Sequence, residues 1–227
     1  MTEKDERILK QICYDLLLIE VYEKFTKIFM KSWYFVALCL AVFLGLSSVV
    51  DLGSKAQLVI VVGFPISVYL MGPKIVATYY VYFADNFPDI RRGISKFWIR
   101  KEIVSMKMWV LTVDDVIAGV IALRPINVES VETPHDVTPS TTDAMLTRMV
   151  VRREFRGRGL AKTLMTHTIN FAREQGYELV HLLTTTVQTE AVAMYRKLGW
   201  REVNRSPILW LAKDEYVFEF ELDVRDM

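Results

Sequence analysis

The sequence predicts an α/β domain, a sheet flanked by helices, that follows a hydrophobic helical hairpin. Three observations predict this organisation. Two charge-free segments lie close together in the first third of the chain. A strand, a glycine-containing turn and a helix follow one another over residues 144–174, and a second strand and helix follow over residues 179–198. Because strand and helix patterns alternate there, we expect the C-terminal part to be built around a sheet.

The first 30 residues have the spacing of an amphipathic helix. Its apolar stripe consists of Ile12, Leu16, Ile19 and Tyr22. We expect this segment, residues 1–31, to be a packed helix or a collar on a membrane surface, without a ligand of its own.

Two segments without any charged residue occupy residues 32–50 and 56–73, and only residues 51–55 separate them. Each approaches the roughly 20 apolar residues that span the hydrocarbon core of a bilayer. A soluble helix of that length normally carries one polar stripe, and neither segment has one. The segments begin too far from Met1, behind acidic residues, for a cleavable signal peptide. We expect a helical hairpin in the membrane over residues 32–73; two buried helices of a soluble core are the alternative.

The flanks of this hairpin predict its orientation. Trp33, Tyr34 and Tyr69 lie near its open ends, as aromatic residues do at membrane interfaces. Four lysines flank the same ends: Lys24, Lys27, Lys31 and Lys74. Both ends of a hairpin return to one side, and the positive-inside rule makes that side the cytosol. Gly63 and Pro65 leave a short, kinked or re-entrant second segment as an alternative.

The elements of the C-terminal part, residues 74–227, follow from local patterns. Residues 88–99 predict a helix, and residues 109–113 and 116–123 predict two strands of a hairpin joined by two aspartates. Residues 124–143, with prolines among many polar side chains, predict a long loop. Residues 216–222 alternate like a terminal strand.

The segment Arg156-Gly-Arg-Gly-Leu-Ala161 links the strand predicted at 144–151 to the helix predicted at 160–174. Gly157 and Gly159 have no Cβ to block a ligand. The first N–H groups of a helix are unpaired and carry partial positive charge, so such a turn holds a phosphate or diphosphate. By itself the pattern fits a solvated helix start equally well.

A second motif follows at the right distance. Residues 188–198 predict a short helix that ends at Gly199, with Tyr195 one turn before its end. With these residues the chain resembles the GNAT superfamily of acetyl-CoA-dependent N-acetyltransferases over roughly residues 107–224. The Arg156–Ala161 turn matches the family's R/Q-x-x-G-x-G/A loop. The A-x-x-x-Y-x-x-x-G-aromatic helix is matched by Ala191, Tyr195, Gly199 and Trp200.

The apolar hairpin narrows this resemblance to the membrane-bound Camello-like branch, which includes cysteine-S-conjugate and aspartate N-acetyltransferases of the endoplasmic reticulum. Gln188 stands where that branch has glutamine and the wider superfamily asparagine, and residues 171–177 fit the branch closely. The resemblance implies a GNAT-like mixed sheet and an endoplasmic reticulum membrane, with the catalytic domain facing the cytosol. In one departure, no first GNAT strand is predicted before the hairpin.

The resemblance also implies acetyl-CoA as cofactor. The residues expected to bind it are Met149, Val150, Val151, Arg156, Gly157, Arg158, Gly159, Leu160, Ala161 and Gln188. The strand residues among them are placed to pair with the pantetheine amides, and one of their N–H groups faces the oxyanion that develops during transfer. Arg152 and Arg153 are expected to be exposed or to form a rim for the cofactor's phosphates.

Acetyl transfer to an amine needs an unprotonated amine and a donor for the departing thiolate. The Tyr195 hydroxyl is our candidate donor; a core tyrosine is the alternative. Arg148 is the candidate clamp for an acceptor carboxylate. No cysteine or serine has the setting of a nucleophile, which favours direct transfer. The general base is not identified: His135, Asp136 and Asp143 are candidates or solvated loop residues.

The amino-acid composition argues against several other functional classes of protein. The near balance of 28 basic and 27 acidic residues argues against nucleic-acid binding. Two cysteines predict no disulfide framework, and three histidines without ligand spacing predict no metal site. We therefore expect an acetyl-CoA-dependent N-acetyltransferase in a membrane, acting on a small amine, amino acid or amino-acid conjugate. Protein lysine acetylation and a silent coenzyme A-binding scaffold are the alternatives, and the oligomeric state is not predicted.

Overall fold

A computed structural model describes residues 3–14, 37–38, 40–42, 44–45, 63, 67, 94–98, 106–126, 142–207 and 216–225. The helices are α1 (Glu3–Tyr14), α2 (Ile94–Trp98), α3 (Leu160–Glu174) and α4 (Thr189–Lys197), and a 3₁₀ turn covers Arg153–Phe155. The strands are β1 (Lys107–Val113), β2 (Val116–Pro125), β3 (Asp143–Val151), β4 (Leu179–Thr185), β5 (Arg201–Pro207) and β6 (Tyr216–Asp223).

The six strands form one mixed sheet in the order β1-β2-β3-β4-β6-β5. β3 and β4 run parallel, and every other neighbouring pair is antiparallel. The parallel pair is joined by α3, because parallel neighbours need a crossover connection. The predicted α/β class with a GNAT-like mixed sheet is thereby confirmed for the C-terminal part.

The β1–β2 hairpin is tight, as its two aspartates predict. Asp114 and Asp115 have φ of 50° and 60°, and Val113 pairs with Val116 across the turn. Two left-handed residues in a two-residue loop match the twist of the strands they join. Further along β2, a Cβ on Gly119 would lie 2.7 Å from the Val150 carbonyl oxygen. Glycine therefore permits the close approach of β2 to β3.

The sheet buries both faces. On one face, alternate residues of β2, β3, β4 and β6 form an apolar core with α3 and α4 that includes Leu123, Leu146, Leu182 and Phe220. On the other face, residues such as Val120 and Ala122 pack with α1 and α2. Because side chains alternate along a strand, neighbouring residues of β2 belong to different cores.

The structure extends or corrects several predictions. Arg124, predicted in a loop, lies in β2 and is 1% exposed, since the strand continues to Pro125. β5 was not predicted: six of its seven residues are exposed and its sequence has no apolar alternation. Of the helix predicted at 88–99, residues 94–98 are described and form α2; the rest of that prediction lies outside the described residues.

The predicted hairpin over residues 32–73 lies largely outside the described residues. Those described within it are helical, and Leu38, Leu40 and Leu44 are 50%, 56% and 63% exposed. Within the described part of the chain, no helix combines the length and the apolar character needed to cross a membrane.

Candidate active site

The site is built where β3 and β4 separate. These parallel strands pair only through Asp143–Met145 with Leu179–His181. Beyond Met145, β3 continues beside β2 while β4 continues beside β6. An opening therefore forms in the middle of the sheet, flanked by the backbone of residues 146–151. Strand N–H and C=O groups along such an opening are suited to pair with an extended ligand that carries amides.

A β-bulge in β3 shapes this opening. The register with β2 shifts between the Val120–Val150 and Ala122–Thr147 pairs, so β3 carries one extra residue there. Arg148 lies in this stretch with φ of 54°, a left-handed conformation that is uncommon for a residue other than glycine. Bulges re-aim side chains, and non-glycine residues in this conformation concentrate at functional sites.

A cavity of about 440 Å³ extends from the opening to the start of α3. Its lining comes from three local segments: the end of β3, the turn before α3 with the first two residues of that helix, and the first two turns of α4 with the two residues before it. The residues are Met149, Val150, Val151, Phe155, Arg156, Gly157, Gly159, Leu160, Ala161, Val187, Gln188, Glu190, Ala191, Met194 and Tyr195. Nine of the ten residues predicted to bind the cofactor are among them.

The glycine turn is open toward this cavity. Gly157 and Gly159 have φ of 75° and 77°, and an added Cβ at either position would meet no atom within 4 Å. Gly159 is the N-cap residue of α3, and no acidic residue lies in the first turn of that helix. The turn thus offers unpaired helix N–H groups and empty space, the two requirements for binding a phosphate.

The arginines around the turn have different roles. The Arg156 Nε donates to the Val151 carbonyl oxygen at 2.9 Å and so ties the turn to the end of β3. Arg158, the tenth predicted residue, does not line the cavity. Its guanidinium lies 5.4 Å from the Phe155 ring centroid, and its Nη2 is 3.5 Å from the Glu154 carbonyl oxygen. Arg152 is half-buried and forms an ion pair with Glu154.

Tyr195 closes the other end of the cavity. Its side chain is buried against Trp200 and Phe220, and its hydroxyl donates to the Met149 Sδ at 3.7 Å. Burial raises the pKa of the Tyr195 phenol well above its usual value of 10. The hydroxyl therefore keeps its proton across the physiological range and remains a hydrogen-bond donor.

A smaller cavity of about 120 Å³ adjoins the large one. The two share Met149, Val150, Gln188 and Tyr195. The other lining residues of the small cavity are Cys13, Leu146, Thr147, Arg148, Leu182, Leu183 and Thr184. The Thr184 hydroxyl donates to the Gln188 Oε1 at 2.9 Å, which fixes the side chain that separates the two spaces. Arg148 therefore belongs to the small cavity, apart from the glycine turn.

Two of the three general-base candidates, His135 and Asp136, lie outside the described residues. The third, Asp143, begins β3 and lies 3.7 Å from the His181 Nε2. Sequence reasoning did not select His181 or Glu219, which also contacts this imidazole. His181 gave a weak signal, as a titratable residue within an apolar run, whereas Glu219 fits the polar positions of the alternating strand at 216–222 and gave none.

Comparisons with known proteins agree with this geometry. A family model described as the acetyltransferase (GNAT) family matches residues 75–200, more than half of the chain. The chain belongs to the GNAT family. N-acetyltransferase 8B of Homo sapiens is 31% identical over 98 residues, which cover 43% of this chain and 40% of that relative. N-acetylaspartate synthetase of Rattus norvegicus is 33% identical over 98 residues, 43% of this chain and 29% of that relative. The match therefore spans two fifths or less of the length of these relatives.

Among solved structures, an acetyltransferase from Bacillus anthracis in complex with acetyl coenzyme A is 16% identical, with a TM-score of 0.45. The match covers 57% of this chain and 68% of the Bacillus anthracis chain.

GNAT acetyltransferases use acetyl-CoA, and the large cavity fits this cofactor on structural grounds. A Cβ at Gly157 or Gly159 would fill the space in which a diphosphate needs to approach the backbone. The backbone of Met149–Val151 beside the opening is suited to pair with the amides of a pantetheine arm.

Proposed function

We propose that this protein is a membrane-anchored N-acetyltransferase that moves the acetyl group of acetyl-CoA to the primary amine of a small amine, amino acid or amino-acid conjugate. The observation that carries the proposal is the large cavity, which has an anion-binding turn at one end and a protonated phenol at the other. A ligand that fills it needs a phosphorylated end and a reactive end. Acetyl-CoA has both, and it supplies the acetyl group as a thioester.

The turn residues hold the phosphorylated end. Backbone N–H groups of Gly157, Gly159, Leu160 and Ala161 bind phosphate oxygens at the N-terminus of α3. Arg156 and Arg158 add positive charge beside them. The backbone of Met149–Val151 pairs with the amides of the cofactor's arm, and Gln188, held by Thr184, separates cofactor from acceptor.

Tyr195 holds a proton at its hydroxyl oxygen, where the large and small cavities meet. That hydroxyl already donates to a sulfur atom, the Sδ of Met149. We propose that it donates in the same way to the sulfur of the leaving thiol during transfer. Because burial raises the pKa of Tyr195, stabilisation by hydrogen bonding is favoured over complete proton transfer from the phenol.

The small cavity holds the acceptor. Its volume suits the amine-bearing end of a small molecule, and Arg148 supplies a guanidinium for an acceptor carboxylate. Among the described residues that line the cavity there is no serine, and the one cysteine, Cys13, belongs to α1 and is buried. Direct transfer from cofactor to amine is therefore the mechanism that we propose.

We propose further that residues 32–73 form the membrane anchor and residues 74–227 the catalytic domain, on the cytosolic side of the endoplasmic reticulum. Leu38, Leu40 and Leu44 support an anchor, because these large apolar side chains are helical and at least half exposed. The match of the GNAT family model from residue 75 supports the boundary.

The experiment is a thiol-release assay with the purified full chain and acetyl-CoA. The acceptors are amino acids, cysteine conjugates, polyamines and lysine-bearing proteins. We expect turnover with a small primary amine. Turnover only with proteins would replace the proposal with protein lysine acetylation. Cofactor binding without turnover of any acceptor would make the protein a silent scaffold.

A further inference from the structure

A buried polar cluster lies on the sheet face opposite α3 and α4. It consists of His181 on β4, Asp143 on β3 and Glu219 on β6. The His181 Nε2 lies 3.7 Å from the Asp143 Oδ2, and its Nδ1 lies 3.6 Å from the Glu219 Oε1. The side chains are 5%, 13% and 8% exposed for His181, Asp143 and Glu219. We refer to these three residues as the His181 cluster.

The His181 cluster lowers the stability of the fold if it has only a structural role. Among the described residues, neither ring nitrogen of His181 has a hydrogen-bond partner, although both are buried. Buried polar atoms without hydrogen bonds cost stability, and an apolar side chain at this position would avoid that cost. The carboxylates lie at opposite nitrogens of the ring, and no group of metal-ligating residues converges within the described part of the chain.

The cluster lies close to the small cavity without lining it. Met145 and His181 form the last pair before β3 and β4 separate. Leu183, two residues further along β4, lines the small cavity and pairs in register with Glu219. Since side chains alternate along strands, His181, Leu183 and Glu219 share one face of the sheet, with about 7 Å between successive residues on that face.

We infer that the His181 cluster accepts the proton that the acceptor amine loses before it attacks. This inference rests on the proposed function and identifies the group that removes the proton. An N–H bond of the bound ammonium breaks, and its electron pair stays on nitrogen as the nucleophilic lone pair. The proton passes through water or the Glu219 carboxylate to the imidazole of His181. After product release it leaves to solvent past Asp143, the most exposed member of the cluster.

The surrounding charges favour this transfer. An imidazolium at His181 has a carboxylate at each of its nitrogens, so both N–H groups gain a partner. Glu221, the register partner of His181, forms an ion pair with Arg201 at 2.7 Å. Arg124 lies two strands away on the same face, as the partner of Met145 in β2. The cluster therefore has two carboxylates for one imidazole.

The test measures kcat/KM against pH for the fastest primary amine of the acceptor panel. Full-length wild type is compared with the variants His181→Gln and Glu219→Gln. The control is Asp223→Asn, because Asp223 is an exposed carboxylate on the same strand as Glu219 and accepts a hydrogen bond from Arg225. For wild type we expect kcat/KM to reach a plateau near neutral pH. His181→Gln should lose about 100-fold at pH 7 and recover about tenfold per pH unit up to the amine's own pKa, because only free amine then reacts.

Acetyl-CoA affinity and melting temperature report on folding, since no member of the cluster lines the large cavity. If His181→Gln fails to fold, Glu219→Gln, which keeps the side chain's size, carries the test. A pH profile parallel to that of wild type in either folded variant would overturn the inference and leave the proposed function intact. Absence of turnover by wild type with every acceptor would overturn both.

Discussion

The large and small cavities share four lining residues but are assembled in different ways. The large cavity is lined by residues 149–161 and 187–195, two short stretches in which each helix follows its strand directly. The small cavity adds Cys13 from α1, a bulged part of β3 and the middle of β4. Local chain geometry therefore builds the cofactor side, whereas packing between distant segments builds the acceptor side. We expect substitutions on the two sides to change different kinetic constants.

The largest effect is expected where the cavities meet. Tyr195→Phe keeps the ring between Trp200 and Phe220 and removes only the hydroxyl. We expect kcat to fall about 100-fold, with little change in the Kd of acetyl-CoA. Because the raised pKa keeps the phenol protonated, the wild-type rate should show no alkaline decline from Tyr195 up to about pH 10, and the variant's profile should run parallel.

Tyr177→Phe is the control, since it removes a buried hydroxyl from the same core outside both cavities. Equal losses of kcat in the two variants would assign Tyr195 to packing alone.

The next largest effect is expected on the cofactor side, where a substitution should weaken the binding of acetyl-CoA. Gly159→Val places a side chain in the space that the diphosphate needs. We expect acetyl-CoA to bind at least about tenfold more weakly, about 1.4 kcal/mol. Gly176→Val is a matched control: its φ is 78° against 77°, and its added Cβ likewise meets no atom within 4 Å. Both variants carry the strain of a branched side chain in a left-handed conformation, but Gly176 lies at the end of α3.

Calorimetry with acetyl-CoA separates the two glycines. An unchanged Kd in folded Gly159→Val would remove the turn from the cofactor site, and an equal weakening in Gly176→Val would point to a general loss of structure.

A prediction for the acceptor side concerns Arg148. Arg148→Met should raise KM about tenfold for amines that carry a carboxylate, because a charge-assisted hydrogen bond is lost. Amines that match them but lack the carboxylate should be affected much less, and the Kd of acetyl-CoA should stay the same. Arg153→Met, an exposed arginine that lines neither cavity, is the control. Equal effects on both acceptor types would leave Arg148 a structural arginine.

The smallest effect should come from the loss of the hydrogen bond between Thr184 and Gln188. Thr184→Val keeps the shape of the side chain but removes the donor to the Gln188 Oε1. We expect a two- to tenfold fall in kcat/KM, about 0.5–1.5 kcal/mol for one hydrogen bond. Thr168→Val removes a comparable buried hydrogen bond, to the Leu164 carbonyl oxygen in α3. If it lowers kcat/KM as much, the effect reflects stability rather than the position of Gln188.

Local patterns predicted the elements of the cofactor side closely. The predicted helix at 160–174 matches α3, and the strand predicted at 144–151 begins one residue earlier as β3. β5 escaped prediction because an edge strand with exposed residues needs no apolar alternation; its pairing with β6 makes it a strand. Arg124 was assigned to the loop predicted at 124–143 because prolines and polar side chains dominate that segment, yet Arg124 and Pro125 both pair with β3.

Local sequence patterns were sufficient to predict, in order, every strand of the sheet domain except β5, together with the glycine turn and the place of Tyr195 on its helix. These depend on contiguous residues, whose periodicity and backbone preferences are local properties. Only the tertiary structure decided that the β3–β4 pairing ends after three residues, that Arg148 adopts a left-handed conformation at a bulge, and that His181 lies between Asp143 and Glu219. The physical reason is that strand register and side-chain convergence depend on contacts between residues far apart in the chain.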